Sequence, residues 1–292
     1  MKGKVTNMGM KASNKIATFF KYFVLILVGI IMIYPLLWMV SATFKDNSEI
    51  FAGIGLWIKN PTLEGYRNAL NNFGGSINIL QAMLNTYSYV IPKVICTVVS
   101  ACIAAYGFGR FDFPGRKILF SIMLATLFLP QVVLNVPQFL LYTKFGWVNS
   151  PFYLAIWVHC AFATETYFVY QLVQFMRNVP RDLDEAASID GCNSFQTLYK
   201  VIVPMLMPAL VSCALFQFMW SCNDFMGPLL YVQTPAKYPM SLFVKLSMDG
   251  DTGFAWNRIL ALSLISILPQ LIVFFCAQDQ FVEGISAGAV KG

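Results

Sequence analysis

The sequence predicts an all-α, polytopic membrane protein: six transmembrane helices, cytoplasmic amino and carboxyl termini, and one helical loop standing in the cytoplasm. Three observations lead there. Of the 292 residues, 58% are apolar and only 12% charged, where a soluble domain carries roughly 25% charged side chains. The apolar residues collect into runs long enough to cross a hydrocarbon layer roughly 30 Å thick, which takes about 20 helical residues. Lysine and arginine are denser on one side of those runs, and such an excess marks the cytoplasmic face.

The runs fall at about 19–41, 87–108, 118–140, 152–175, 202–223 and 259–277. Strands of a membrane barrel are about 10 residues long, so these runs read as helices, which satisfy their own backbone polar groups in lipid. Basic residues Lys2, Lys4, Lys11, Lys15 and Lys21 lead into the first run, and residues 1–18 read as a cytoplasmic leader. The apolar stretch behind it is too long for a secretory signal and no A-x-A cleavage pattern follows, so it is expected to stay as the first span. The leader, Arg110, Arg116, Lys117, Arg177, Arg181, Lys200 and Lys291 share one side, which makes residues 279–292 a cytoplasmic tail. Opposite lie Lys45, Lys59, Arg67, Lys144, Lys237, Lys245 and Arg258, several of them near Asp or Glu. This asymmetry accounts for the net charge of +6 with lipid as the surrounding partner and no nucleic acid.

No charge-rich linker divides the chain, so residues 19–278 read as one membrane domain. The outer loops, about 44–83 and 224–258, mix glycine or proline with polar residues and are expected to be irregular, with a short interfacial helix in the first. The seven cysteines form no C-x-x-C pair and lie mostly inside apolar runs, which suits small apolar fillers rather than metal ligands. With His159 as the single histidine, a multi-histidine metal centre is excluded, and no metal site is expected.

The inner loop at 177–201 is too polar for lipid and too long for a tight connection. Pro180 suits a helix start, Asp182 can cap the following amides, and Leu183, Ala186 and Ala187 fall on one apolar face. Gly191 can take positive φ and end that helix. After Asn193 and Ser194, Phe195, Leu198, Tyr199 and Ile202 recur at helical spacing, with Pro204 and Pro208 in the first turns of the next span. The result is helix, sharp turn, helix. The alanines leave room for close docking of another protein, and Glu185 can pair with a partner's arginine or lysine. A solvated connector would carry the same residues, so on chemistry alone both readings stand.

Glu185-Ala186-Ala187, then Asp190-Gly191, then Ile202-Val203-Pro204 resembles the EAA loop of bacterial ATP-binding-cassette importer permeases. In that family the loop forms coupling helices that fit a groove on the ATP-hydrolysing subunit. Ala104-Ala105-Tyr106-Gly107 and the run from Arg110 through Phe111, Asp112, Phe113, Pro114 and Gly115 to Arg116 narrow the resemblance to the MalG-like, binding-protein-dependent carbohydrate permeases. It covers most of the chain after about residue 85. It extends to the ending with Gly288, Lys291 and Gly292, which is similar to the tail that approaches the paired ATPases in maltose-type systems. The resemblance implies four partners: a second homologous permease, two ATPase subunits that bind ATP and magnesium, and an external solute-binding protein delivering a carbohydrate, expected to be an oligosaccharide. It also implies residence in the bacterial cytoplasmic (inner) membrane. Two departures stand out. Cys222-Asn223-Asp224 occupies a place where the family shows Trp-Asn-Asp, with Trp220 two positions earlier, and Thr166 stands near a family proline.

Glu165, Thr166, Asn223 and Asp224 are the candidates for lining a translocation path. A carboxylate near mid-membrane costs several kcal/mol unless protonated, paired or wet, so Glu165 either faces a path or is neutralised between helices. His159 reads as a packing residue, because six positions separate it from Glu165 and a continuous helix puts the two on different faces. Lys93 either snorkels outward or faces a wet cavity that would favour an anionic saccharide. Trp38, Tyr89, Tyr106 and Tyr170 read as membrane anchors rather than a sugar site.

No G-x-x-x-x-G-K-[ST] phosphate loop occurs, so the chain is expected to bind no ATP or other cofactor and to catalyse no reaction. A secondary transporter driven by an ion gradient through Glu165, Lys93 and Asp224 is the alternative, disfavoured by the lack of a repeated half. An intramembrane enzyme finds no paired carboxylates, nucleophile with base or ligand cluster at helical spacing.

Overall fold

The computed structural model describes residues 3–71, 77–248 and 255–289, with side-chain surroundings for 17–71, 77–248 and 255–280. Among the described residues every regular element is helical, as the runs require: lipid offers no partner for an open strand edge. The chain divides into two units, residues 1–70 with 250–264, and residues 71–249 with 265–292.

In the first unit α1 (Gly3–Ala42) is unbroken for 40 residues although Pro35 lies inside it. Its apolar stretch Ala17–Ala42 is long enough to span. Beyond it the chain forms one turn, α2 (Asn47–Ile50), and a short helix, α3 (Glu64–Leu70). Asp46 caps α2 by accepting from the Ser48 amide at 2.9 Å and hydroxyl at 2.6 Å, and Ser48 holds the Asp46 carboxyl below its ordinary range. Lys45, 2% exposed, donates to the Gly55 carbonyl at 2.6 Å. Gly65 packs so closely on Asn257 that a Cβ would sit 2.6 Å from the Asn257 oxygen.

The second unit is built around α4 (Ile79–Arg110), 32 residues long. One core gathers Ala101, Ala105 and Tyr106 of α4 with Phe168, Leu172, Met176, Ile202 and Cys213. Another gathers Tyr89 and Val90 with Tyr142, Tyr153, Ile156 and Tyr231. The next run, 118–140, expected as one helix, is α5 (Arg116–Thr126) and α6 (Gln131–Lys144), bent by 99°. Pro130, at the N-cap of α6, explains the break: it has no amide to donate and disfavours helical φ/ψ in the residue before it.

The run at 152–175 is not one helix either. It forms α7 (Leu154–Trp157), a 3-10 turn (Val158–Phe162), and, after a break at Ala163 with φ +55°, α8 (Thr166–Met176). There follow α9 (Asp182–Ile189), α10 (Ser194–Thr197), a π-helical turn (Leu198–Ile202) and α11 (Val203–Met205). The fifth run then bends by 79° into α12 (Met207–Cys222). Pro208 lies in the first two positions of α12, and its ring and missing amide stop the preceding helix from running through. Last come α13 (Met226–Tyr231), a 3-10 turn (Pro235–Lys237), α14 (Met240–Leu246) and α15 (Trp256–Ala289).

Three helical stretches, Ala17–Ala42, Ile79–Arg110 and Trp256–Gln280, are thus long and apolar enough to cross a bilayer, and each bent pair can form one more crossing. The 152–175 stretch does not pass that test as a single helix.

Candidate functional site

The helix-turn-helix expected at 177–201 is present, with a different start. Asp182 is the first helical residue and no side chain caps the helix. Asp182, Asp184 and Glu185 instead crowd its first turn, where negative charge meets the positive end of the helix dipole. The other end is a Schellman turn: the Cys192 amide reaches the Ala187 carbonyl at 2.9 Å and the Gly191 amide the Ser188 carbonyl at 3.1 Å, with Gly191 at φ +81°. Asn193 and Gln196 form a reciprocal capping box that starts the second helix.

Burial sorts the loop into two faces. Ala187, Leu198 and Ile202 are buried, and Leu183 packs against the same core. Ala186, expected on that face, is exposed together with Glu185, Asp190 and Gly191; it stands about 100° around the helix from Ala187, and the helix turns the Leu183–Ala187 side to the core. Ile189 is 86% and Phe195 69% exposed, so an apolar patch stands beside the Glu185 carboxylate. Pro204 lies past the π-helical turn, which begins where the Val203 amide reaches back to Leu198.

Three contacts tie this loop to α4. Arg110, its last residue, sets its Nε 3.1 Å from Asp184 Oδ2, with side-chain exposures of 7% and 24%. The same guanidinium donates from Nη2 to the Val179 carbonyl at 3.1 Å. Four residues earlier, the Tyr106 hydroxyl donates to the Ser194 carbonyl at 3.1 Å. Tyr106, Arg110, Asp184 and Ser194 line a cleft of about 270 Å³ with Glu185, Ser188 and Cys192.

The polar residues expected along a path divide into two places. Asn223, at the end of α12, donates to Gln270 Oε1 at 3.0 Å. Asp224 accepts from the Gly227 amide at 3.0 Å, and its other oxygen lies 4.0 Å from the Lys93 ammonium. Lys93 therefore neither snorkels nor presents an unpaired charge. Glu165 and Thr166 lie at the start of α8, where Thr166 accepts from the Thr126 hydroxyl at 3.3 Å and Glu165 accepts from the Cys160 thiol at 3.6 Å.

His159 corrects the reasoning from helical spacing. Ligand atoms of His159, Cys160 and Glu165 lie within 4.8 Å of one another, because the left-handed residue Ala163 ends the 3-10 turn and folds Glu165 back. One nitrogen, one sulfur and one carboxylate oxygen are thereby brought together. Two pairings escaped sequence reasoning, Arg110 with Asp184 and Lys93 with Asp224. The first had a signal in the Arg110 to Arg116 run, whose conspicuous arginine lacked only an identified carboxylate; the second had none. Gly288 belongs to α15 by its backbone, while its surroundings, and Lys291 and Gly292 altogether, lie outside the described residues.

Comparison with known proteins gives the family and the fold. A probable ABC transporter permease protein of Pyrococcus horikoshii is 32% identical over 271 residues, 90% of this chain and 94% of its own length. The trehalose/maltose transport system permease protein MalG of Thermococcus litoralis is 31% identical over 267 residues, 91% and 94% of the two chains. The galactooligosaccharides transport system permease protein GanQ of Bacillus subtilis is 27% identical over 286 residues, 97% and 99%. In fold, the chain matches a crystal structure of a bacterial ABC transporter involved in import of the acidic polysaccharide alginate, with a TM-score of 0.77 at 20% identity over 92% of this chain and 98% of that one. A gradient-driven carrier is not favoured by these relatives. Residues 97–284 match the family described as binding-protein-dependent transport system inner membrane component, and this multi-pass, all-helical membrane chain belongs to that family.

Proposed function

We propose that the chain is the transmembrane permease subunit of an ATP-binding-cassette importer for a carbohydrate, an oligosaccharide by the names of relatives such as MalG and GanQ. One observation carries the reading: the 177–201 segment exposes Glu185, Ala186, Ile189 and Phe195 while Ala187, Leu198 and Ile202 anchor it in the core around α4, α8 and α12. A partner that moves the exposed face pulls on the helices behind it, and the Arg110–Asp184 contact carries that pull to α4.

The partner is one of two ATPase subunits, which bind ATP and magnesium. Glu185 pairs with a basic group in its groove, Gly191 sets the turn, and the tail with Gly288, Lys291 and Gly292 reaches the ATPase interface. A second homologous permease completes the membrane part, and an external solute-binding protein delivers the sugar. The chain crosses the cytoplasmic membrane six times with both termini inside, the broken 152–175 stretch supplying the fourth crossing. Glu165, Thr166, Asn223 and Asp224 line the path. Closure of the ATPases on ATP moves the docked loop and rotates the helices, opening the shared cavity outward, and hydrolysis resets it inward.

The test is ATP hydrolysis by the reconstituted complex with its binding protein and a panel of saccharides. One saccharide should stimulate hydrolysis, and Glu185→Arg and Gly191→Val should each abolish the stimulation. A complex whose transport survives both substitutions would refute the coupling role.

A further inference from the structure

One cleft in the second unit, of about 600 Å³, has no part in the coupling scheme. Phe108, Phe113 and Phe120 wall it with apolar surface, and Arg116, Lys117 and Arg177 face it. Its carboxylate, Asp112, is paired with Arg116 and lies 4.0 Å from Arg181. Among the described residues Lys117 and Arg177 are in no ion pair. Arg116 and Lys117 also occupy the first turn of α5, which holds no acidic residue, and cations there oppose the helix dipole. An anion held between them removes that conflict.

The cleft continues. A second, mostly apolar groove of about 390 Å³ shares Lys117 and Ile118 with it and runs along Ser121, Ile122 and Ala125. Positions 118, 121, 122 and 125 are one helix face, about 10 Å long at 1.5 Å per residue. A basic pocket opening onto an apolar track on a membrane helix has the shape and charge of a phospholipid with an anionic headgroup.

We propose that this cleft and groove bind one anionic phospholipid, its phosphate on Arg116, Lys117 and Arg177 and an acyl chain along Ile118, Ser121, Ile122 and Ala125. Placement in the cytoplasmic leaflet rests on the orientation proposed above; binding itself does not.

The full-length chain, delipidated in nonionic detergent, is offered phosphatidylglycerol or phosphatidylcholine with the same acyl chains, and retained lipid is counted by native mass spectrometry. Phosphatidylglycerol should be retained and phosphatidylcholine should not. Lys117→Gln with Arg177→Gln should weaken retention about thirtyfold, at about fivefold for each cation near a headgroup, whereas Lys59→Gln with Lys144→Gln should leave it unchanged. Ser121→Trp, which fills the groove and keeps the charges, should also weaken it. Equal retention of both lipids, or equal behaviour of the two charge variants, would overturn the proposal. So would displacement of the lipid by excess inorganic phosphate with no effect of Ser121→Trp, which would make the cleft a site for free phosphate. No outcome depends on ATP hydrolysis or sugar, so a failed coupling experiment and a failed lipid experiment are distinguishable.

Discussion

Breaking the contact between Arg110 and Asp184 tests how the loop is held. At 3.1 Å and an effective dielectric of about 20, the gross attraction is roughly 5 kcal/mol. Most of it offsets the desolvation of Arg110, whose side chain is 7% exposed. A net contribution of about 2 kcal/mol is left for this ion pair, whose Nε and Oδ2 meet without hydrogen-bond geometry, between the roughly 1 kcal/mol of an exposed pair and the about 3–5 kcal/mol lost when a buried one is broken. Hydrogen exchange of the loop amides in the reconstituted complex reads this directly, since 2 kcal/mol of local opening corresponds to about thirtyfold faster exchange. Arg110→Met should exceed Asp184→Asn, because only the former also loses the donation to Val179 at 3.1 Å. The double variant should fall short of the sum of the two by about 1 kcal/mol or more. If the single effects add within about 0.3 kcal/mol, the two residues do not interact and α4 is not tied to the loop through this pair.

Other consequences follow from single positions. Gly191 sits at φ +81° with open space where a Cβ would project, so Gly191→Val should cost about 1–2 kcal/mol through backbone strain alone, while Gly191→Asn, which tolerates that conformation, should retain most of the sugar-stimulated ATPase activity. Gly65→Ala would place a Cβ 2.6 Å from a backbone oxygen and should lower thermal stability by about 1–3 kcal/mol; Gly53→Ala, with nothing within 4 Å, is the control and should leave the melting temperature unchanged. Lys93→Met should destabilise the purified chain by about 1–3 kcal/mol by leaving Asp224 unpaired beside its Gly227 amide, and Lys93→Met with Asp224→Asn should recover most of that loss. A double variant less stable than Lys93→Met would show that the pair does not matter as a pair.

Sequence reasoning failed where it assumed that an apolar run is a straight helix. Length and composition mark residues 118–140, 152–175 and 202–223 as apolar runs, but they do not say where a chain folds back. Pro130 and Pro208 are visible breakers, yet the bends of 99° and 79° depend on what packs inside them. The left-handed turn at Ala163 has no marker, since nothing but its neighbours holds an alanine there. His159 and Glu165, placed on different faces by counting along a continuous helix, meet because that helix does not exist. At the loop the reverse holds. Gly191 at φ +81° and the Asn193–Gln196 box are local chemistry, set by a few adjacent residues, and both can be read from the sequence.

Composition, the apolar runs and the EAA-type residues by themselves determined the all-helical class, the membrane as solvent and the family, because solvent choice and local turns depend on which residues are near in sequence. Only the tertiary structure decided that Arg110 holds Asp184, that Asp224 neutralises Lys93, and that Arg116, Lys117 and Arg177 share one cleft. Arg110 and Asp184 are 74 positions apart and Lys93 and Asp224 are 131 positions apart, and pairing between charges so distant in sequence is set by how the helices pack, which no local pattern encodes.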